Sequence, residues 1–559
     1  PLIAVVTDPG IIDTNRHLNL IYTVFGFPSV NSFLVALGVL VFVVIFLSNV
    51  FKSLTLFLQL RFIHFRLYKL SQRLLFKYLS QPYVFFLNQN TAVLGRNLLN
   101  EVSQFSHNVL TPCTQILSKM ILVLFIAALL FYVDPVLALT IVLTLGGAYV
   151  LIYVFVQRKL ARLGEERYEA NAQKFKAASE AFGGVKELKV LNREKYFFDH
   201  FSTHSYRMEA NNVLSGLMRT LPIHVMEVTA FGGIVIIVLY FLLLRENIGQ
   251  ALPVMALYAF AGYRLMPALQ TMFTAVSTLR FNMAVLDGLH HDLSGFIHTS
   301  LFWQKKEVPA LPFQNKIQFS FVTFSYPGTE DLVIRNLNLT IKKNANVGLV
   351  GATGAGKTTL VDLLLGLILP QQGQIFIDDQ PIVPGNLTEW QRNVGYVPQS
   401  IFLSDESLAS NIALGIPPED IDMASVERAA KIANLHDFVI NDLPAGYSTI
   451  IGERGVRLSG GQRQRIGIAR ALYHDPAVLI MDEATSALDG ITEESVIQAI
   501  RHLSGRKTII TIAHRLTTLQ DSDLIVVMEK GQVIDQGTYN ELFASSQKFR
   551  NMASMGKSK

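Results

Sequence analysis

The pattern of apolar and polar positions changes once along the chain, near residue 300, and the two sides predict different folds. Ahead of that point long apolar runs recur. A helix that crosses a bilayer needs about 20 mostly apolar residues, and five stretches qualify: 33–51, 112–133, 136–156, 223–244 and 251–276. A further apolar run, 1–6, is too short to span and ends in the turn signal Thr7-Asp8-Pro9-Gly10. It reads as the tail of a sixth helix whose earlier part is absent, so the chain is expected to be N-terminally incomplete and no signal peptide can be judged. Only Asp134-Pro135 separates the second and third spans, which predicts a tight hairpin between them.

The segments between the other spans, 59–110 and 157–220, are long and basic. The first holds Arg61, Arg66, Lys69, Arg73 and Lys77; the second holds Arg158, Lys159, Arg162, Lys174, Lys176 and Lys186. The short connections carry little beyond Arg16 and Arg245, so the positive-inside rule puts both long segments in the cytoplasm. Residues 65–79 and 163–182 lack proline and keep a helical period, so they predict membrane helices that continue into the cytoplasm. Each has a break, near Asn88-Gln89-Asn90 and Gly183-Gly184, where a short crosswise helix fits as well as an ordinary turn.

Beyond residue 276 the long runs stop. Lys305-Lys306-Glu307 with Pro309 and Pro312 marks a linker, and from Phe313 short β-branched strands such as 347–350, 477–481 and 508–512 alternate with helices. That alternation predicts an α/β domain with a largely parallel sheet. The expected division is a transmembrane domain at 1–300, a linker at 301–312 and a nucleotide-binding domain at 313–559. Composition agrees: 16% of the residues are charged and the mean hydropathy is +0.35, too apolar for a soluble enzyme. The net charge of +5 lies largely in the cytoplasmic segments, which removes nucleic acid as a partner. Cys113 is the single cysteine, so an intramolecular disulfide and a cysteine-only metal site are excluded.

Chemistry enters at Gly351-Ala352-Thr353-Gly354-Ala355-Gly356-Lys357-Thr358-Thr359. This phosphate-loop pattern follows a strand and opens a helix, where backbone N–H groups and the helix N-terminus cradle phosphates. Lys357 is expected to neutralise the terminal phosphates of ATP, and Thr358 to hold Mg²⁺. The apolar strand 477–481 ends in Asp482-Glu483. Asp482 is the expected Mg²⁺ partner and Glu483 the general base that deprotonates water; alone, the pair also fits a strand capped by solvated acids. Between these anchors, Leu458-Ser459-Gly460-Gly461-Gln462 reads as a serine-capped helix start and a second anion cradle.

That pentapeptide, between a phosphate loop and an Asp-Glu strand end, resembles the signature of ABC ATPases. The resemblance implies that Tyr326 stacks on adenine, that Gln399 senses Mg²⁺ and faces the membrane domain, and that His514 contacts the γ-phosphate. It implies that Ser486-Ala487-Leu488-Asp489 crosses a dimer interface, and that Gly452-Glu453-Arg454-Gly455 is an exporter segment touching the intracellular helices. Domain order and long cytoplasmic extensions resemble six-helix exporters, with 178–187 similar to their second intracellular loop. The implied fold is an α-helical transmembrane bundle with its first helix truncated, followed by an α/β P-loop NTPase domain. In that family ATP is sandwiched between the phosphate loop of one subunit and the signature of the other. Two copies of this chain would make two competent sites, which favours a homodimer; a heterodimer with a degenerate partner is the alternative.

Tyr263-Arg264-Leu265-Met266-Pro267 resembles half-transporters that flip lipid-linked oligosaccharides for protein glycosylation, in which cavity arginines engage the lipid pyrophosphate. The resemblance implies Arg264 and Lys52 as substrate ligands. Ile223 stands where that type has a further arginine, and His224 beside it is a third candidate substrate residue. Lys52 and Lys119 also fit simple snorkelling to the interface, and an Arg264–Glu227 ion pair rivals substrate binding. The expected protein is a multi-pass component of a bacterial inner membrane, surrounded by lipid, with its nucleotide domain in the cytoplasm. A multidrug or lipid exporter and an ATP-gated channel are the alternatives to oligosaccharide flipping; the spans exclude a soluble ABC ATPase.

Overall fold

The computed structural model describes residues 16–133, 135, 138–139, 142–244, 248–294, 308–329, 331–452, 458–482, 498, 503–513 and 516–555. The chain forms two compact units. One comprises 1–81 and 89–299; the other comprises 300–559 together with 82–88.

The first unit is helical. After α1 (Arg16–Val24), α2 runs unbroken through Val30–Leu79. Its start is fixed by a capping box, in which Ser29 Oγ accepts from the Ser32 amide at 3.2 Å and Ser32 Oγ accepts from the Ser29 amide at 3.2 Å. It stops at Ser80 because Pro82 disfavours helix in the residue before it. The expected span and its continuation thus form a single 50-residue helix. A short helix, α3 (Tyr83–Leu87), lies just ahead of the expected break at 88–90 and belongs to the second unit. Then α4 (Thr91–Arg96), α5 (Val102–Phe105) and α6 (Thr111–Val133) follow, separated by π-helical turns at Asn97–Glu101 and Ser106–Leu110. A third π turn, Val142–Gly146, leads into α7 (Gly147–Gly183), so the third expected span is not one regular helix. Asp134, 136–137 and 140–141 lie outside the described residues, as do 1–6 of the expected first helix. Short α8 (Val185–Leu191) sits at the second expected break, between Gly184 and a left-handed Asn192. The span expected at 223–244 is the second half of α9 (Glu194–Leu244), which runs through Pro222. Then come α10 (Ile248–Phe281) and α11 (Met283–Ser294). Among the described residues, two helical runs, Val30–Leu79 and Thr91–Tyr132, are long and apolar enough to cross a membrane.

A buried polar network ties these helices beyond the apolar stretches. Tyr78 Oη and Asn97 Nδ2 both donate to Asp292 Oδ2, at 2.6 and 2.7 Å. Arg96 Nη2 donates to Asn97 Oδ1 at 2.7 Å and to Tyr168 Oη at 3.2 Å, its guanidinium 4.9 Å from the Tyr168 ring centre. Its Nε lies 3.7 Å from Glu101 Oε1, which also accepts from Asn171 Nδ2 at 2.8 Å. Arg96 and Glu101 are 4% and 1% exposed. The π turn at 97–101 places Asn97 and Glu101 on the buried side together.

The second unit carries two sheets. One is antiparallel, in the order β2 (Ile334–Lys342), β1 (Lys316–Phe324), β4 (Gln372–Ile377), β5 (Gln380–Pro381). The other has the order β10 (Gln532–Gly537), β9 (Leu524–Glu529), β3 (Asn346–Val350), β8 (Thr508–Ile512), β7 (Val478–Asp482), β6 (Val394–Val397). From β9 to β6 every pairing is parallel, and β7 is buried at all five positions, as expected of a strand covered on both faces. Between the sheets, Ile317, Phe319, Leu349, Leu360, Leu363 and Trp390 belong to one apolar core, and Trp390 Nε1 donates to the Leu364 carbonyl at 2.6 Å. Val84 of α3 packs against this same core.

Candidate active site

Ligands of parallel sheets bind beyond the carboxyl ends of the strands, and here adjacent strands deliver the expected residues to that edge. β3 ends at Val350 and leads into the phosphate loop; β8 ends at Ile512, two residues before His514; β7 ends at Asp482; β6 ends at Val397, two residues before Gln399. β3 pairs with β8, β8 with β7 and β7 with β6. Strand ends separated by more than a hundred positions in sequence therefore converge on one sheet edge.

The loop geometry follows from its glycines. Gly356 caps α12 (Lys357–Leu364) at φ 97°, and Gly351 adopts φ 156° where an added Cβ would strike the carbonyl of Met528. Either side chain would force the loop out of shape. Ala352, Thr353, Gly354 and Thr358 are exposed, whereas Ala355, Gly356 and Thr359 are buried. The Lys357 ammonium folds back on the loop, donating to the carbonyls of Gly351 at 2.8 Å and Ala352 at 3.2 Å. Tyr326 Oη lies 3.1 Å from Thr359 Oγ1, and its ring meets Phe324 edge-on at 5.1 Å. The tyrosine expected at adenine is thus anchored to the phosphate-loop helix. Asp482 is buried and Gln399 exposed.

The signature serine caps α13 (Gly460–Leu472). Ser459 Oγ accepts from the Gln462 amide at 3.2 Å, and Gln462 Oε1 accepts from the Ser459 amide at 2.8 Å. Leu458 is buried beneath while Ser459 is exposed and Gly460 and Gly461 are half-buried, so the helix start faces outward. Arg470 anchors the other end, donating to the carbonyls of Asn411 and Phe402 at 2.8 Å each. Glu483, the loop Ser486-Ala487-Leu488-Asp489, His514 and Glu453-Arg454-Gly455 lie outside the described residues; Gly452, at φ 77°, is described.

Asp362 was not anticipated. It stands one turn beyond Thr358 on the same helix face, buried, and burial together with the charge of Asp482 pushes its carboxyl up to about 6. Tyr396 and Tyr83 are raised chiefly by burial and then by these acids, Tyr396 by both and Tyr83 by Asp362, so two tyrosines and two acids share one pocket of potential. An acid four residues after the loop threonine was the available signal. Because the folded protein holds a proton that the unfolded chain releases, Asp362 contributes stability fully present below about pH 4 and lost as pH rises through about 6. In the absence of nucleotide and divalent metal, the melting temperature is expected to fall between pH 5 and pH 7 by more in the wild type than in Asp362→Asn. Identical pH profiles for the two proteins would refute this.

In the helical unit, Arg264 is exposed on α10, and Lys52 is exposed on α2 with Nζ 3.5 Å from Asn49 Oδ1. His224 Nδ1 lies 3.5 Å from Glu227 Oε2, so the acid weighed as an Arg264 partner has a histidine beside it on its own helix.

The sequence matches the family model described as ABC transporter over residues 334–486 and that described as ABC transporter transmembrane region over 9–268. It is 31% identical over 474 residues to an ATP-dependent lipid A-core flippase of Alkalilimnicola ehrlichii, covering 83% of this chain and 78% of that one. It is 42% identical over 248 residues to a leukotoxin translocation ATP-binding protein, LktB, of a Pasteurella haemolytica-like species, covering 44% of this chain and 34% of that one. In fold it is similar to a bacterial Atm1-family ABC exporter solved with ATP bound, at a TM-score of 0.80 and 24% identity, covering 96% and 93% of the two chains.

Proposed function

The chain belongs to the ABC transporters, as a half-transporter of the exporter type with transmembrane region and ATPase domain on one polypeptide, and from that premise we propose that two copies of it form a homodimer that moves an amphipathic, lipid-linked substrate across a bacterial inner membrane. The observation that carries the substrate class is the likeness, over 83% of this chain, to a relative named as a lipid A-core flippase. A lipid-linked oligosaccharide is the specific form we favour, on the Tyr263–Pro267 motif.

In this reading the exposed face of the phosphate loop binds the β- and γ-phosphates, and Lys357 exchanges its two loop carbonyls for phosphate oxygens. The exposed Ser459 helix start of the second copy closes over the same phosphates. Thr358, Asp482 and Gln399 offer hard oxygen donors, with the buried Asp362 carboxyl close enough to feel the charge of Asp482, a set that fits Mg²⁺. Bound there, the metal would neutralise charge developing on the phosphoryl group. Glu483 takes the proton of the attacking water and His514 steadies the γ-phosphate. Tyr326 presents its ring to adenine.

Arg264 is the proposed substrate-phosphate ligand: a permanently charged fork in a membrane-domain helix is costly unless it meets a partner or a wet cavity. In lipid discs made with the purified chain alone, a lipid-linked oligosaccharide is expected to stimulate ATPase activity more than drugs or simple lipids do, with native mass spectrometry showing a dimer of identical chains. Arg264→Ala is expected to abolish that stimulation while basal ATPase and melting temperature stay near wild type, and Arg264→Lys to restore it in part. A large loss of melting temperature without selective loss of stimulation would make Arg264 a structural ion-pair member instead.

A further inference from the structure

We propose that Leu58, Arg61, Phe62, Phe65, Arg66 and Lys69 of α2 form a binding site for the phosphate headgroup of an anionic phospholipid in the cytoplasmic leaflet. The six residues recur at helical spacing on one face and line a groove of about 350 Å³. Within it the aromatic and basic side chains are crossed: the Arg61 guanidinium lies 5.6 Å from the Phe65 ring centre and that of Arg66 lies 5.2 Å from Phe62. Stacking on a ring occupies the guanidinium face and leaves its N–H edge for an oxygen ligand.

The charge of this face is not compensated locally. The sequence has no Asp or Glu between Asp13 and Glu101, and among the described residues no carboxylate pairs with Arg61, Arg66 or Lys69. Position supplies the occupant. Broken only by Lys52 and a few polar residues, the apolar run of α2 continues past the expected span to Leu58 and Leu60, so Arg61 opens the basic segment at the end of that run. Phe62 and Phe65, 48% and 56% exposed in the single chain, set apolar surface that an acyl chain can cover beside the basic groups that would meet its headgroup. Clustered Lys and Arg directly cytoplasmic of a membrane helix attract anionic lipid. The site is separate from the nucleotide residues and from Arg264, and does not depend on what is transported.

The test is native mass spectrometry of the full chain in detergent, titrated with phosphatidylglycerol and, in parallel, phosphatidylcholine. Arg61→Gln/Arg66→Gln/Lys69→Gln is expected to weaken phosphatidylglycerol binding roughly 100-fold, with phosphatidylcholine binding, dimer content and basal ATPase unchanged. The Arg61→Lys/Arg66→Lys variant is expected to keep most of the affinity. Phosphatidylglycerol binding equal to wild type in the triple variant would overturn the proposal. So would loss of the dimer or of melting temperature in it, which would make the face a packing surface. Equal competition by millimolar inorganic phosphate would reassign the site to free phosphate, and saturation by a lipid-linked oligosaccharide in preference to phosphatidylglycerol would reassign it to the substrate.

Discussion

Glu483→Gln is expected to lower ATP turnover by at least ~10²-fold, the low end for loss of a general base, while ATP binding and the closed dimer persist. Glu483 directly follows Asp482 at the end of β7, a strand buried along its whole length and held by β6 on one side and β8 on the other. The strand itself ends at the sheet edge from which the phosphate loop also departs. The amide keeps the shape of the acid and its hydrogen-bonding reach, so only the capacity to accept a proton from water is lost. Equilibrium ATP binding measured beside steady-state hydrolysis separates the two effects. Turnover near wild type would remove Glu483 from the mechanism, and loss of binding would make it a positioning group.

Glu101→Leu is expected to destabilise the helical unit by about 3–5 kcal/mol, because it leaves the buried Arg96 charge without its acid. Removing a carboxylate also strands Asn171 Nδ2, which donates to it at 2.8 Å. The double variant Arg96→Met/Glu101→Leu removes this pair but leaves the buried Arg167, which also faces Glu101, so it is expected to regain only part of the loss. Thermal melting of the three proteins in detergent gives the comparison. A single variant that melts with the wild type would show that the pair contributes nothing, and a double variant as weak as the single would place the loss in packing rather than charge.

What was legible in the sequence is what local pattern encodes. The phosphate loop announces itself because its glycines and Lys357 are contiguous, and α2 because its apolar residues persist without proline until Pro82. The break after α3 and the one before α8 were visible as Asn and Gly clusters. The polar network was not, since Tyr78, Arg96, Tyr168 and Asp292 meet only after four helical segments pack, and no spacing rule links them. The π turns were invisible for a different reason: one extra residue per turn leaves no compositional mark, yet it decides that Asn97 and Glu101 point inward. Asp362 was overlooked because an acid in a phosphate-loop helix reads as solvated until burial and the neighbouring Asp482 are known.

The unbroken course of α2 has a mechanical meaning. Fifty residues make a rod of ~75 Å at 1.5 Å per residue, of which the part beyond Phe51 is about 42 Å. Tilting such a rod by ~10° about its membrane end would swing its far tip by roughly 7 Å. A lever of this length turns a small change in angle within the bilayer into a stroke as large as a helical turn at its tip. The same rod, driven from the tip, returns only a slight rotation but with multiplied force. Stiffness is then the property under constraint, and a flexible glycine pair inserted midway along α2 would cost transmission before it cost folding.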